Sequence, residues 1–278
     1  MRVHHLNCGT MRPFGGRLVG GSGSVLRPAT MVCHCLLIET AAGLVLVDTG
    51  IGLEAVARPR ASLGSGFLLA TRPVLDTGET AIRQVEALGH TADEVRHVVL
   101  THLDLDHAGG LADFPKAKVH VHDTEFAAAM SPATLGERSR YRSGQWAHGP
   151  DWATYGTAEG ERWFGFEAVR ELAGLPDDLL LIPLAGHSRG HSGVAVRTGG
   201  RWLLHAGDAY FFRGEVDPAH RRSTPGLRLF QTVVQEDGTA RRRNQDRLHE
   251  LAVAHGDEVD IISAHDPVEL HRCQDAPV

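Results

Sequence analysis

Residues 101–110 read THLDLDHAGG and hold His102, Asp104, Asp106 and His107 within six positions. Imidazole and carboxylate at this density form the donor set that divalent zinc, iron or manganese takes. The preceding HVVL is a short apolar run and reads as the end of a strand buried on both faces. His102 and Asp104, two residues apart, then leave that strand in the same direction. Asp106 and His107 are adjacent and converge only if the chain turns, a freedom that Gly109 and Gly110 supply. Three more segments place donors after apolar runs: GHSRGH offers His187 and His191, LLHAGD ends in Asp208, and IISAHD carries His265. Functional side chains gather where strands end, so the recurrence predicts one centre assembled from several strand tips.

The elements that must position these residues are α/β in kind. CHCLLIET and LVLVDTG, separated by AAG, read as a hairpin turning at Gly43. TGETAIRQVEALG reads as an amphipathic helix with Ala81, Val85 and Leu88 on its apolar face, stopping at Gly89. AGGLADFP is a helix start, and AKVHVHD the next strand. LLLIPL, SGVAVRT, RWLLHAGD and VDIISAHD follow as strands, with RRRNQDRLHELAVAHG a helix whose arginines face solvent. Residues 124–180, rich in aromatics with Trp146, Trp152, Tyr155, Trp163 and Phe164, are expected to be a helical insertion over the active-site end. The glycine-rich FGGRLVGGSGS is a loop able to border a cleft. Cys33 and Cys35 alternate onto one face of a buried strand and read as core thiols, while His120, His122 and His205 sit mid-strand and read as structural.

Composition narrows the classes. The chain has 278 residues, 42% hydrophobic and 22% charged, which suits a soluble globular protein. A net charge of −6 disfavours nucleic acid as a partner, because phosphate binding needs a basic surface. The 18 histidines point to a site before any motif is read. Four cysteines in a chain of this size make no disulfide framework. No run resembles a signal peptide or reaches membrane-spanning length, so a cytoplasmic enzyme without a membrane partner is expected.

The ordered set VDTG (47–50), THLDLDH, GHSRGH, AGD and AHD resembles the metallo-β-lactamase superfamily across most of the chain. The resemblance implies a four-layer αββα sandwich forming a single domain over 1–278. It also implies two divalent ions, zinc in the first place with iron or manganese as alternatives. His102, position 104 and His187 would hold the first ion; Asp106, His107 and His265 the second; Asp208 would bridge. Asp48 would brace the loop without ligating, and His191 would orient a ligand. The family has histidine where this chain has Asp104, and a carboxylate there predicts a less Lewis-acidic first ion.

Such a centre generates hydroxide from bound water near neutral pH and polarises a carbonyl, with Asp106 able to orient the nucleophile or pass its proton on. Hydrolysis of a lactone, ester or related acyl bond of a small molecule follows. The layout is most similar to the lactonase and small-ester hydrolase branch, whose lactonases place tyrosine three residues after the bridging aspartate; here that position is Phe211, with Tyr210 one earlier. Both are candidates for contact near the substrate. The carboxylate at position 104 keeps open an iron-dependent redox or glyoxalase-like thioester chemistry on the same fold. A homodimer is left open.

Overall fold

A computed structural model describes residues 1–156, 161–168 and 172–275, and among these described residues there are twelve strands. The first sheet runs in chain order: β1 (Arg2–Met11), β2 (Met31–Thr40), β3 (Gly43–Val47), β4 (Val95–Val99), β5 (Lys118–His122) and β6 (Asp151–Tyr155). Its first three strands are antiparallel and β3 to β6 are parallel. A separate hairpin joins β7 (Glu161–Trp163) to β8 (Phe166–Ala168). The second sheet has the order β12 (Val259–Ile262), β11 (Arg201–His205), β10 (Ser192–Thr198), β9 (Leu179–Pro183), with only the β11–β12 pair parallel.

Period-two alternation sorts side chains into layers. In β2, Leu36 and Ile38 meet Leu179, Leu181, Val194 and Val196 of the second sheet in a core between the sheets. Cys33, Cys35 and Leu37 face the other way, into a core shared with Ala81 and Val85 of the Ala81–Ala87 helix. Leu180, Ile182 and Ala195 turn outward from the second sheet onto Leu248 and Leu251 of the Gly238–His255 helix. Helix, sheet, sheet, helix is therefore the layering, as the sequence resemblance implies.

Several expectations need correction. Leu88 is 41% exposed, because the helix ends at Ala87 and the chain turns away. AGGLADFP forms only a single 3-10 turn, Leu111–Asp113, too short to be a packed helix. The segment 124–180 is helical only through Trp146; β6 and the β7–β8 hairpin follow, and residues 157–160 and 169–171 lie outside the described residues. ERWFGFEA folds back at Phe164 and Gly165, both with positive φ, which a helix does not tolerate. Of the aromatics in 124–180, Trp163 is buried against Trp202 and Phe166, and Trp152 is half-buried against Phe126. Arg241 points inward and donates to Gln231, Gln235 and Gln245 instead of facing solvent.

Candidate metal centre

Four strand ends deliver the donors. His102 to His107 follow β4, His187 follows β9, Asp208 follows β11 and His265 follows β12. The loop after β4 closes as a helical turn in which the Asp104 carbonyl accepts from His107 N and Ala108 N at 3.0 and 2.9 Å. Backbone bonds stitch the ends together: Ser192 N donates to Thr101 O, Ala206 N to Ile262 O and Ala264 N to Gly207 O. Gly207, at φ +54, has no alternative, since a Cβ there would lie 2.6 Å from His191 Nε2.

Asp208 is the hub. Its Oδ1 lies 3.2 Å from His107 Nε2 and 3.1 Å from His265 Nε2, and its Oδ2 lies 3.5 Å from His187 Nε2 and 3.9 Å from His102 Nε2. Asp106 Oδ2 is 3.7 Å from His265 Nε2, and the Cys33 sulfur falls within 4.8 Å of donor atoms on both residues. Asp104 Oδ2 stands 3.0 Å from His187 Nε2 and 3.5 Å from His102 Nε2. Four ligands at about 2.0–2.2 Å around zinc are themselves about 3.3–3.6 Å apart, so these spacings match the edges of a coordination polyhedron.

Partners fix which nitrogen faces inward. His107 Nδ1 donates to Asp48 Oδ2 at 2.8 Å, His265 Nδ1 to Val32 O at 2.7 Å, and His102 Nδ1 to Thr101 Oγ1 at 2.9 Å. Thr101 Oγ1 is committed as an acceptor because its own proton goes to Asp48 Oδ2 at 2.7 Å. Each ring therefore turns its Nε2 to the centre, where His102 Nε2, His107 Nε2 and Asp208 Oδ1 are buried without a hydrogen-bond partner. Burial works against a charged imidazole, yet the carboxylates around His107 and His265 outweigh it and raise both pKa values. The donor types and spacings of Asp208, His107, His265 and Asp106 fit a divalent cation.

The remaining candidates separate. His191 Nδ1 donates to Leu184 O at 3.1 Å and its Nε2 accepts from Asp208 N at 2.9 Å, so it sets the hub's backbone. Phe211 stacks on His265 with centroids 5.1 Å apart, facing the centre. Tyr210 does not: in an extended backbone it alternates to the other side, fully buried, with its hydroxyl donating to Glu269 Oε1 at 2.9 Å. It is a core residue and not a substrate contact. His205 donates to His34 O, His120 lies between His97 and Tyr155, and His122 accepts from Thr124 N, all away from the centre.

Sequence reasoning missed three groups. Thr101 is one. Glu125, fully buried, accepts from Leu103 N, Tyr141 hydroxyl, Ser188 hydroxyl and Gly190 N, tying the two ligand loops together. Arg140 is the third: its Nη1 donates to Asp104 Oδ2 at 2.6 Å and to His187 Nε2 at 2.8 Å. Beside the centre, a cavity of about 260 Å³ is bordered by Gly16, Gly20 and Ser24 of the glycine-rich loop and by Phe211, Leu227 and His265.

A two-sheet sandwich with histidines and carboxylates gathered at its strand ends is the layout of the metallo-β-lactamase fold. Residues 29–256 match the model of the metallo-beta-lactamase superfamily, and the chain belongs to that family as a metal-dependent hydrolase. It is 43% identical over 268 residues to the probable metallo-hydrolase Rv2300c of Mycobacterium tuberculosis, spanning 96% of this chain and 81% of that one. N-acyl homoserine lactonase AttM of Agrobacterium fabrum is 28% identical over 242 residues, 87% of this chain and 84% of its own. A mutant of AiiA from Bacillus thuringiensis, solved with N-decanoyl-L-homoserine at the active site, shares the fold: TM-score 0.70 and 20% identity, over 98% of this chain and 95% of that one. Among the described residues no helix is long and apolar enough to cross a membrane.

Proposed function

We propose that the enzyme hydrolyses the acyl–oxygen bond of a small ester or lactone at a centre held by His107, Asp208, His265 and Asp106. The observation that carries this reading is the convergence of the partnerless His107 Nε2 and Asp208 Oδ1 with His265 Nε2 beside a cavity of about 260 Å³. A divalent ion held there, with zinc the expected choice, supplies the Lewis acidity that activates water and polarises a carbonyl. The protein's own residues do the rest. Asp106, 8% exposed where the other donors of this group are more deeply buried, can take a proton and return it to the leaving oxygen. Phe211 and Leu227 present an apolar wall to the acyl group, and a cavity this size suits a small molecule. Phe211 offers no hydroxyl to a substrate carbonyl, so carbonyl contact falls to other donors. The lactone products bound to structural neighbours support an acyl ester bond as the target class.

The test is a panel of lactones, esters, thioesters and β-lactams assayed on protein of measured metal content. Turnover of a lactone or ester is expected, with Asp106→Ala lowering kcat by about 10²-fold or more. Stoichiometric iron with oxygen consumption and no hydrolysis would replace this reading by the redox one.

A further inference from the structure

The group of His102, Asp104 and His187 contains a fourth side chain that no strand end supplies. Arg140 closes the short helix Leu135–Arg140, whose first turn is fixed by reciprocal bonds between Thr134 and Glu137. Its side chain is 8% exposed and its guanidinium is held at both ends: Nη2 donates to the Val234 carbonyl, while Nη1 donates to Asp104 Oδ2 and lies 2.8 Å from His187 Nε2. Tyr141, next in the chain, is anchored through its hydroxyl on Glu125. This arginine is built in, not draped over the site.

The imidazole Nε2 has one in-plane lone pair, which can accept an N–H or bind a metal but not both. Nη1 donates to Asp104 Oδ2 at 2.6 Å and lies 2.8 Å from His187 Nε2; that nitrogen either accepts from Nη1 or donates its own proton to Asp104 Oδ2 at 3.0 Å, and in both cases its lone pair is taken. An ion in the first position would need those same two atoms. Charge points the same way. Asp104 and Arg140 cancel each other, whereas Asp106 and Asp208 are left with no arginine or lysine bridged to them among the described residues. Two carboxylates match one divalent ion.

We propose that the centre holds a single divalent ion, at Asp106, His107, Asp208 and His265, and that Arg140 occupies the first-metal position with Asp104 as its matched counter-charge. The inference rests on the metal-dependent reading above and replaces the two ions that the sequence resemblance implies. Asp104 is then a positioning residue for Arg140 instead of a ligand.

Metal counting separates the possibilities without reference to activity. The full chain is loaded with excess zinc, desalted and analysed by atomic emission, with His187→Ala in parallel so that only an ion lost with His187 is scored to the first position. Wild type is expected to hold one zinc per chain and Arg140→Met two, the second dependent on His187. If Arg140→Met fails to fold, the same count on Asp104→His, which removes the counter-charge and adds an imidazole, is expected to give two. A His187-dependent second zinc in wild type would overturn the proposal. So would variants that fold but stay at one. No zinc, iron or manganese bound at all would overturn the metal-dependent reading itself, an outcome distinct from either.

Discussion

Asp48 shows how tightly the donors are specified. It sits at φ 57, a left-handed backbone that costs a non-glycine residue about 1 kcal/mol or more, and uses that geometry to accept from Thr101 N, Thr101 Oγ1 and His107 Nδ1. Although burial opposes its charge, the adjacent His107 holds its carboxyl below the usual range. Asp48→Asn would turn an amide N–H toward His107 Nδ1, favouring the tautomer that places the ring proton on Nε2 and so removing that nitrogen's lone pair from the centre. Zinc affinity is expected to fall by about 10–100-fold, read by competition with a chelating dye. Asp104, at the same scale, illustrates the opposite: a residue whose type suggests a ligand and whose strongest contact is an arginine.

At the scale of elements, loops are held by buried carboxylates. Glu125, at the start of the Asp123–Met130 helix, joins the loop after β4 to the loop after β9 with four accepted hydrogen bonds. Glu125→Gln leaves a donor facing Gly190 N, and a loss of about 2–4 kcal/mol in urea denaturation is expected. Glu269, in the Pro267–Asp275 helix, is different: burial first and the charge of Asp266 second push its carboxyl up to about 8. The native state therefore keeps a proton that the unfolded chain has released, and stability falls as pH rises from about 4.5 through 8. Glu269→Gln is expected to flatten that slope, which one proton sets at about 1.4 kcal/mol per pH unit at most, in denaturation curves at pH 6 and pH 9. These contacts mark the limit of what sequence can tell. The strands β2, β9 and β10 were legible because alternation splits each between two cores, and the donors because each ends an apolar run. β6 was not, since DWATY is a half-exposed edge with no clean period. Arg140 was not, since nothing local sets it apart from Arg138 and Arg142; its role comes from atoms 36 and 47 residues away.

For the whole molecule the centre is also a joint. Asp106 and His107 belong to the first sheet's loop, and Asp208 and His265 to the second sheet, so an ion shared among them cross-links the two layers of the sandwich. The Val32 carbonyl on His265 and the Ala264–His34 and Ser192–Thr101 backbone bonds are the protein's own crossings at the same edge. Those bonds survive metal removal, so the apoprotein is expected to stay folded. Removal instead withdraws the cation that Asp106 and Asp208 face, leaving their charges opposed only by protonated histidines. A ligand present at a thousand times its Kd stabilises the native state by about 4 kcal/mol. In a chain of this size each kcal/mol moves Tm by about 2–4 °C. Dialysis against a chelator is therefore expected to lower Tm by about 10 °C, with recovery on adding zinc, measured by scanning calorimetry. A metal-free sample that melts where the loaded one does would mean the ion is not shared between the sheets.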